Sequence, residues 1–198
     1  MNAKDFNVRS ALLKCGKEQF LLHGFEGASL RAICKNAGVT TGAFYAYFDK
    51  KDALFSAIVD PMLHAYYQMY DGVVRRAMQD VKNNEANELE AIEFICAHRD
   101  EFRLLFDCSA GTAYADFRKT LLDDLFMSSY QACFDRYAGG PVDPGIVRLF
   151  VRMKFIQYME LIYGGYSMQD IRRLVRRYAA FTEAGFARLL EEIKDETA

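Results

Sequence analysis

The chain has 198 residues, 52% of them hydrophobic and 26% charged, with a formal net charge of −2. That length supports one or two domains with a sizeable core, and the near-neutral balance excludes a general nucleic-acid coat protein. No apolar run approaches the roughly 20 residues that span a bilayer, and Met1-Asn2-Ala3-Lys4-Asp5-Phe6 lacks the apolar stretch of a secretory leader, so a cytoplasmic protein without membrane attachment is expected.

The charge is unevenly spread. Residues 1–55 hold eight Lys/Arg against five Asp/Glu, and the remainder holds 17 against 22. A mildly basic head on an acidic body suits a protein that meets phosphate at one end. Prolines are few (Pro61, Pro141, Pro144), no alternating strand pattern persists, and helical spacing dominates, so the chain reads as all-α with about nine helices.

In chain order, Leu12, Cys15, Gly16 and Phe20 give a first helix one apolar face, closed by Gly24 as a left-handed cap. Ser29 caps a short helix through Asn36, Gly38 makes a turn, and Thr40 caps a helix to about Phe48. Longer helices are predicted at 51–81, 86–97, 100–108, 112–137, 144–163 and 168–194, with a break at Asn83-Asn84. Asp60-Pro61 predicts a kink in the 51–81 helix or a fresh start capped by Asp60, because proline removes one backbone bond. The domains expected are a head over 1–55 and a body over 56–198.

The stretch from Gly24 to Phe55 has the layout of a helix-turn-helix whose second helix lies in the DNA major groove. Thr40-Thr41-Gly42-Ala43 supplies small side chains, free amides and hydroxyls where a backbone must approach phosphates and base edges. Tyr45 and Tyr47 are long enough to reach backbone oxygens. Phe44 and Phe48 would anchor the helix to Leu12, Phe20, Leu30 and Ile33. Lys51 opens the next helix, where its charge would clamp a phosphate. Taken singly, either tyrosine reads equally well as an ordinary surface or core aromatic.

The five cysteines (Cys15, Cys34, Cys96, Cys108, Cys133) show no Cys-x-x-Cys spacing. They read as small apolar side chains in a reducing compartment, with Cys108 the one to weigh as a thiol sensor. No metal cluster, cofactor loop, paired carboxylates or Ser/His/Asp order stands out, so no catalytic residue is expected.

On these residues the chain closely resembles the TetR family of bacterial transcriptional regulators. The resemblance is carried by Arg9, Leu12-Leu13, Gly24-Phe25, Ser29, Ala37-Gly38-Val39-Thr40, Gly42, Phe44-Tyr45, Tyr47-Phe48 and Lys51, over about residues 9–55. It implies phosphate contacts from Ser29 and Lys51 and groove-facing positions for Thr41, Gly42 and Tyr45, with Thr40 and Tyr47 alongside, on double-stranded operator DNA. The sequence departs from the family at Gly16, Gln19, Ala46 and Lys50, and Ala46 leaves the base preference open.

A recognition helix this short needs two copies on a two-fold site. The 144–163 helix is apolar nearly all round and must be covered on both sides, and 168–194 carries a stripe of its own. The resemblance implies a homodimer through these two helices. It also implies a small, largely apolar or aromatic inducer held in the body, with His98, Arg103, Gln157 and Glu160 as polar candidates and Phe102, Phe106, Tyr114, Phe117 and Tyr130 as aromatic ones. Each of those aromatics reads first as core. The leading expectation is a repressor released by its ligand; an inducer-independent DNA-binding protein and a helical enzyme are the alternatives.

Overall fold

A computed structural model describes residues 3–80 and 84–197, and over them the fold is all-α. The helices are α1 (Ala3–Gly27), α2 (Leu30–Asn36), α3 (Thr41–Phe44), α4 (Lys51–Gln79), α5 (Asn84–Ala97), α6 (Arg99–Asp107), α7 (Phe117–Lys119), α8 (Met127–Ala138), α9 (Pro144–Tyr163) and α10 (Met168–Thr197). A π-helical stretch, Thr120–Phe126, joins α7 to α8 without a break, so Phe117–Ala138 is a single rod. Counted that way, the described residues form nine helical rods, starting within a few residues of where the apolar spacing places them.

The local signals act as their chemistry predicts. Gly24 has φ 69° and breaks the helical path inside α1; Gly38 has φ 69° between α2 and α3. Both conformations are open to glycine at little cost. Asp143 caps α9 by accepting from Gly145 N at 2.8 Å, with Pro144 in the first turn. Gly139 (φ 80°) ends α8 in the left-handed region. Of the two outcomes expected at Asp60-Pro61, the fresh start does not occur: α4 runs through Pro61 as one helix. Leu54, Phe55, Val59, Met62 and Leu63 are buried on either side of the proline, and their packing outweighs the one lost backbone bond. The break expected at Asn83-Asn84 falls on residues of which only Asn84 is described, as the start of α5.

The described residues group into two compact units. The first takes residues up to Ala65 together with His98–Arg118; the second takes Tyr66–Ala97 and the chain from Lys119 onward. Beside the boundary read at 55/56, this grouping divides α4 at 65/66 and draws α6 into the unit of the head. In the first unit Phe20, Phe25 and Phe55 form an aromatic trio with ring centres 5.2–5.7 Å apart. Gly16 is explained there: a Cβ on it would lie 2.7 Å from Leu54 Cδ2, so the missing methyl lets Leu54 close against α1.

In the second unit α5 packs on α9 and α10, and α8 packs on both. Its core holds Ile92, Phe134, Val147, Val151, Leu161, Ile171 and Val175. Within it lies a buried ion pair. Lys154 Nζ donates to Glu88 Oε1 at 2.5 Å, their side chains being 3% and 7% exposed, and the Tyr158 hydroxyl donates to Glu88 Oε2 at 3.2 Å. Removing one member leaves the other charge unpaired in the core, whereas removing both leaves a hydrophobic site. Lys154→Met is therefore expected to cost about 3–5 kcal/mol of unfolding free energy. The double variant Lys154→Met/Glu88→Leu should recover most of that loss in urea unfolding. Equal losses in single and double variants would remove the pair from this role.

Candidate functional site

The tip of the first unit is built from two capped helices. Ser29 Oγ accepts from Ala32 N at 3.4 Å to start α2, and Thr40 Oγ1 accepts from Ala43 N at 3.1 Å to start α3. Beyond α3, Ala46 N donates to Ala43 O and Phe48 N to Phe44 O, so turns carry the chain on to Phe48. Phe44 and Phe48 are buried, as are Leu12, Phe20 and Ile33, while Leu30 is half-buried. With Phe44 and Phe48 turned into the core, the opposite side of this helix faces outward.

That outward side is Thr40, Thr41, Gly42 and Tyr45, all exposed, with Tyr45 55% accessible and its ring edge-on to Phe44. Around Gly42 the nearest atom to a would-be Cβ is Thr40 Oγ1 at 3.8 Å, so the backbone there is open to close approach. Ser29 is exposed and Tyr47 half-buried.

Lys51 behaves differently from the phosphate clamp expected of it. Its Nζ donates to the carbonyls of Phe25 (2.6 Å), Ala28 (3.0 Å) and Glu26 (3.4 Å) and lies 4.4 Å from the centre of the Phe25 ring. An ammonium has three donors, and here all three face carbonyls at or just past the end of α1. In the structure Lys51 braces α4 against α1. The exposed cations of the tip are Arg31 and Lys35 on α2 and Lys50 before α4. None of these three was singled out from sequence, although Lys50 was noted as a departure from the family pattern.

The expected ligand contacts divide between the units. His98, Phe102, Arg103, Phe106, Tyr114 and Phe117 belong to the first; Tyr130, Gln157 and Glu160 belong to the second. Phe102 and Phe117 are core, each ring stacked within 5.8 Å of Phe106. Arg103 is exposed, His98 is half-buried at the start of α6, and the Tyr114 hydroxyl donates to Asp60. Glu160 is exposed and accepts from the Tyr166 hydroxyl at 2.9 Å; Gln157 is half-buried. Burial, followed by the charge of Asp107, pushes the Cys108 thiol up, which disfavours its thiolate.

Tyr130 does line a hollow. Two neighbouring cavities of about 80 Å³ each open inside the second unit, sharing Ala77, Asn87, Tyr130 and Cys133. One is walled by Tyr66, Tyr70, Glu88 and Tyr158, the other by Phe134, Tyr137, Phe150 and Phe186. Burial, with the nearby Glu88 charge behind it, holds the phenols of Tyr130 and Tyr158 well above the usual tyrosine range, so they stay protonated donors. Sequence reasoning missed Asn87, Glu88 and Lys154. Their signal is spacing: Glu88 stands one helical turn before Ala91 and Ile92, and Lys154 between Val151 and Tyr158, each on a buried face.

Residues 12–58 match the family model of the bacterial regulatory proteins, tetR family. The helix-turn-helix-type transcriptional regulator YdgC of Bacillus subtilis is 27% identical over 101 residues, 51% of this chain and 52% of YdgC. UidR of Escherichia coli K12, another such regulator, is 39% identical over 52 residues, 26% of each chain. The chain thus spans about half the length, or less, of these curated relatives. In fold, the ketosteroid transcriptional regulator KstR2 of Mycobacterium tuberculosis superposes with a TM-score of 0.67 at 16% identity, covering 93% of this chain and 95% of that one. NalD of Pseudomonas aeruginosa, the secondary repressor of the MexAB-OprM efflux pump, gives 0.59 at 20% identity, covering 90% and 96%.

Two predictions follow from the tip's construction. Lys51→Met should lower unfolding stability by about 1–3 kcal/mol, because the part-buried carbonyls of Phe25 and Ala28 lose their donor, whereas Lys50→Ala should leave urea unfolding unchanged. Ser29→Ala and Thr40→Ala should each cost about 1 kcal/mol through the lost cap, read by the same unfolding curves.

Proposed function

We propose, because this chain belongs to the TetR family of bacterial regulatory proteins, that two copies of it bind one operator as a repressor released by a small molecule. The observation that carries the DNA side is the outward set Thr40, Thr41, Gly42 and Tyr45, held by buried Phe44 and Phe48. Hydroxyls and open amides at the start of a helix suit phosphates and base edges. Arg31, Lys35 and Lys50 then supply the phosphate charge, with Lys51 holding the tip in shape.

Pairing is supported by α9 and α10. Leu149, Met153, Ile156 and Tyr163 recur at helical spacing on α9 and are 67%, 57%, 68% and 45% exposed, and Phe181 on α10 is 69% exposed. Glu160 lies on that same α9 stripe. Isolated exposed apolar residues are ordinary, but a stripe along one helix calls for a cover. Gly185, one turn beyond Phe181, meets nothing within 4 Å of a would-be Cβ and leaves room for an opposing helix. The released state is a population shift: a ligand that prefers one arrangement of the body lowers the share of dimers whose tips fit successive major grooves. The cavities beside Tyr130 favour this over an inducer-independent DNA binder.

The test is a gel shift and footprint on DNA upstream of the protein's own coding region, at low salt. Failure to bind any segment of it overturns the reading. Tyr45→Ala is expected to weaken specific binding by about tenfold or more, and Lys50→Ala to reduce the slope of log affinity against log salt by about one. For pairing, Ile156→Asp with Phe181→Asp should convert a dimer into a monomer by sedimentation at micromolar concentration; a monomeric parent protein would remove the dimer.

A further inference from the structure

Asn87 on α5 lines both cavities of the second unit and is 4% exposed. Its amide is oriented: Arg76 Nε donates to Asn87 Oδ1 at 2.9 Å, and a guanidinium has only donors, so the carbonyl end is fixed toward Arg76. The other end, Nδ2, is buried with no hydrogen-bond partner. Buried amides without partners are rare and costly, and one placed at a hollow calls for an acceptor.

The charges narrow what that acceptor is. Glu88 has both oxygens engaged, one by Lys154 and one by Tyr158, so the cavity it lines presents no open carboxylate. Asp80 and Glu183 line the cavity walled by Phe134 and Phe186 and repel a carboxylate. Arg76, whose Nε holds Asn87 Oδ1, is paired through another of its nitrogens with Glu90, and Lys154 is buried in its pair beside the rings of Phe150 and Tyr178. Among the remaining walls Tyr66, Tyr130, Phe134 and Phe186 present flat rings, and the hydroxyls of Ser129 and Thr182 donate to Leu125 O and Ala179 O. An aromatic ring needs a hollow of about 150 Å³, close to what two neighbouring cavities of about 80 Å³ each provide.

We propose that the cavity takes an uncharged aromatic carbonyl compound, its oxygen accepting from Asn87 Nδ2 and its ring lying among the tyrosines and phenylalanines. This deepens the effector reading above and rests on it for its biological meaning, though binding itself is measured without DNA. The experiment is calorimetric titration of the full chain with three one-ring probes: acetophenone, benzoate and ethylbenzene. Acetophenone is expected to bind about tenfold more tightly than either of the others. Asn87→Leu should reduce acetophenone affinity by about tenfold and leave ethylbenzene unchanged. Asn87→Asp, which keeps the acceptor for Arg76 but turns the donor into an anion, should show the same loss, and it serves if Asn87→Leu fails to fold. Benzoate binding most tightly, ethylbenzene matching acetophenone, no probe binding, or an Asn87→Asp variant that keeps full acetophenone affinity would each overturn the proposal. Acetophenone bound through Asn87 with no change in operator affinity upholds the site and overturns the effector reading instead.

Discussion

The exposed edge from Thr40 to Tyr45 depends on Phe44 reaching the core of the head, because a helix of four residues makes too few backbone bonds to be stable in water alone. Burial of Phe44 and Phe48 in the core of the head supplies what the backbone cannot, at about 1.5–3 kcal/mol for each large side chain. The Ser29 and Thr40 caps then set where each short helix begins. Lys51 does the remaining work from the far side by binding three carbonyls at or just past the end of α1. The surface is small and polar because the opposite face is large and apolar, and neither could be kept without the other.

The second unit is governed by a different balance. Its apolar helices are numerous enough to pack in several registers, and hydrophobic contact alone discriminates poorly among them. The Glu88–Lys154 pair does discriminate, since any register that separates the two strands a charge in the core. It ties α5 to α9, so the stripe of Leu149, Met153 and Ile156 on the opposite side of α9 is left facing outward. Glu88 of that pair also lines a cavity, so the same contact stands between the hollow and the outward stripe of α9.

The head could be read closely from sequence because its determinants are local: a capping hydroxyl, a glycine with positive φ, and an aromatic pair at helical spacing. Lys51 escaped that reading because its carbonyl partners lie 23–26 residues earlier and only folding brings them near. Phe102 and Phe117 were weighed as ligand contacts and are core, and spacing alone does not tell an aromatic facing a cavity from one filling it. Asn87 and Glu88 sit in a polar stretch that composition marks as solvated, although their periodicity places them inward. At Pro61 one of the two expected outcomes, a fresh helix start, does not occur, and the helix continues with five buried neighbours around the proline.

The size of the hollow bears on how strongly an occupant can act. Empty apolar space costs about 24 cal/mol per Å³, so a lobe of about 80 Å³ represents about 2 kcal/mol that filling can recover. In the release proposed above, where only one of two states presents the hollow, that is at most about a thirtyfold shift between them, whereas moving a population from almost wholly bound to almost wholly released takes about 5.5 kcal/mol. Filling one lobe with hydrocarbon is therefore too weak for a complete switch. An occupant that spans both lobes and also satisfies the buried amide of Asn87 gains about 4 kcal/mol from the space and a further 1–3 kcal/mol from the donor, which reaches the requirement. On this arithmetic the unpaired amide is what separates a molecule that merely fits from one that changes the population.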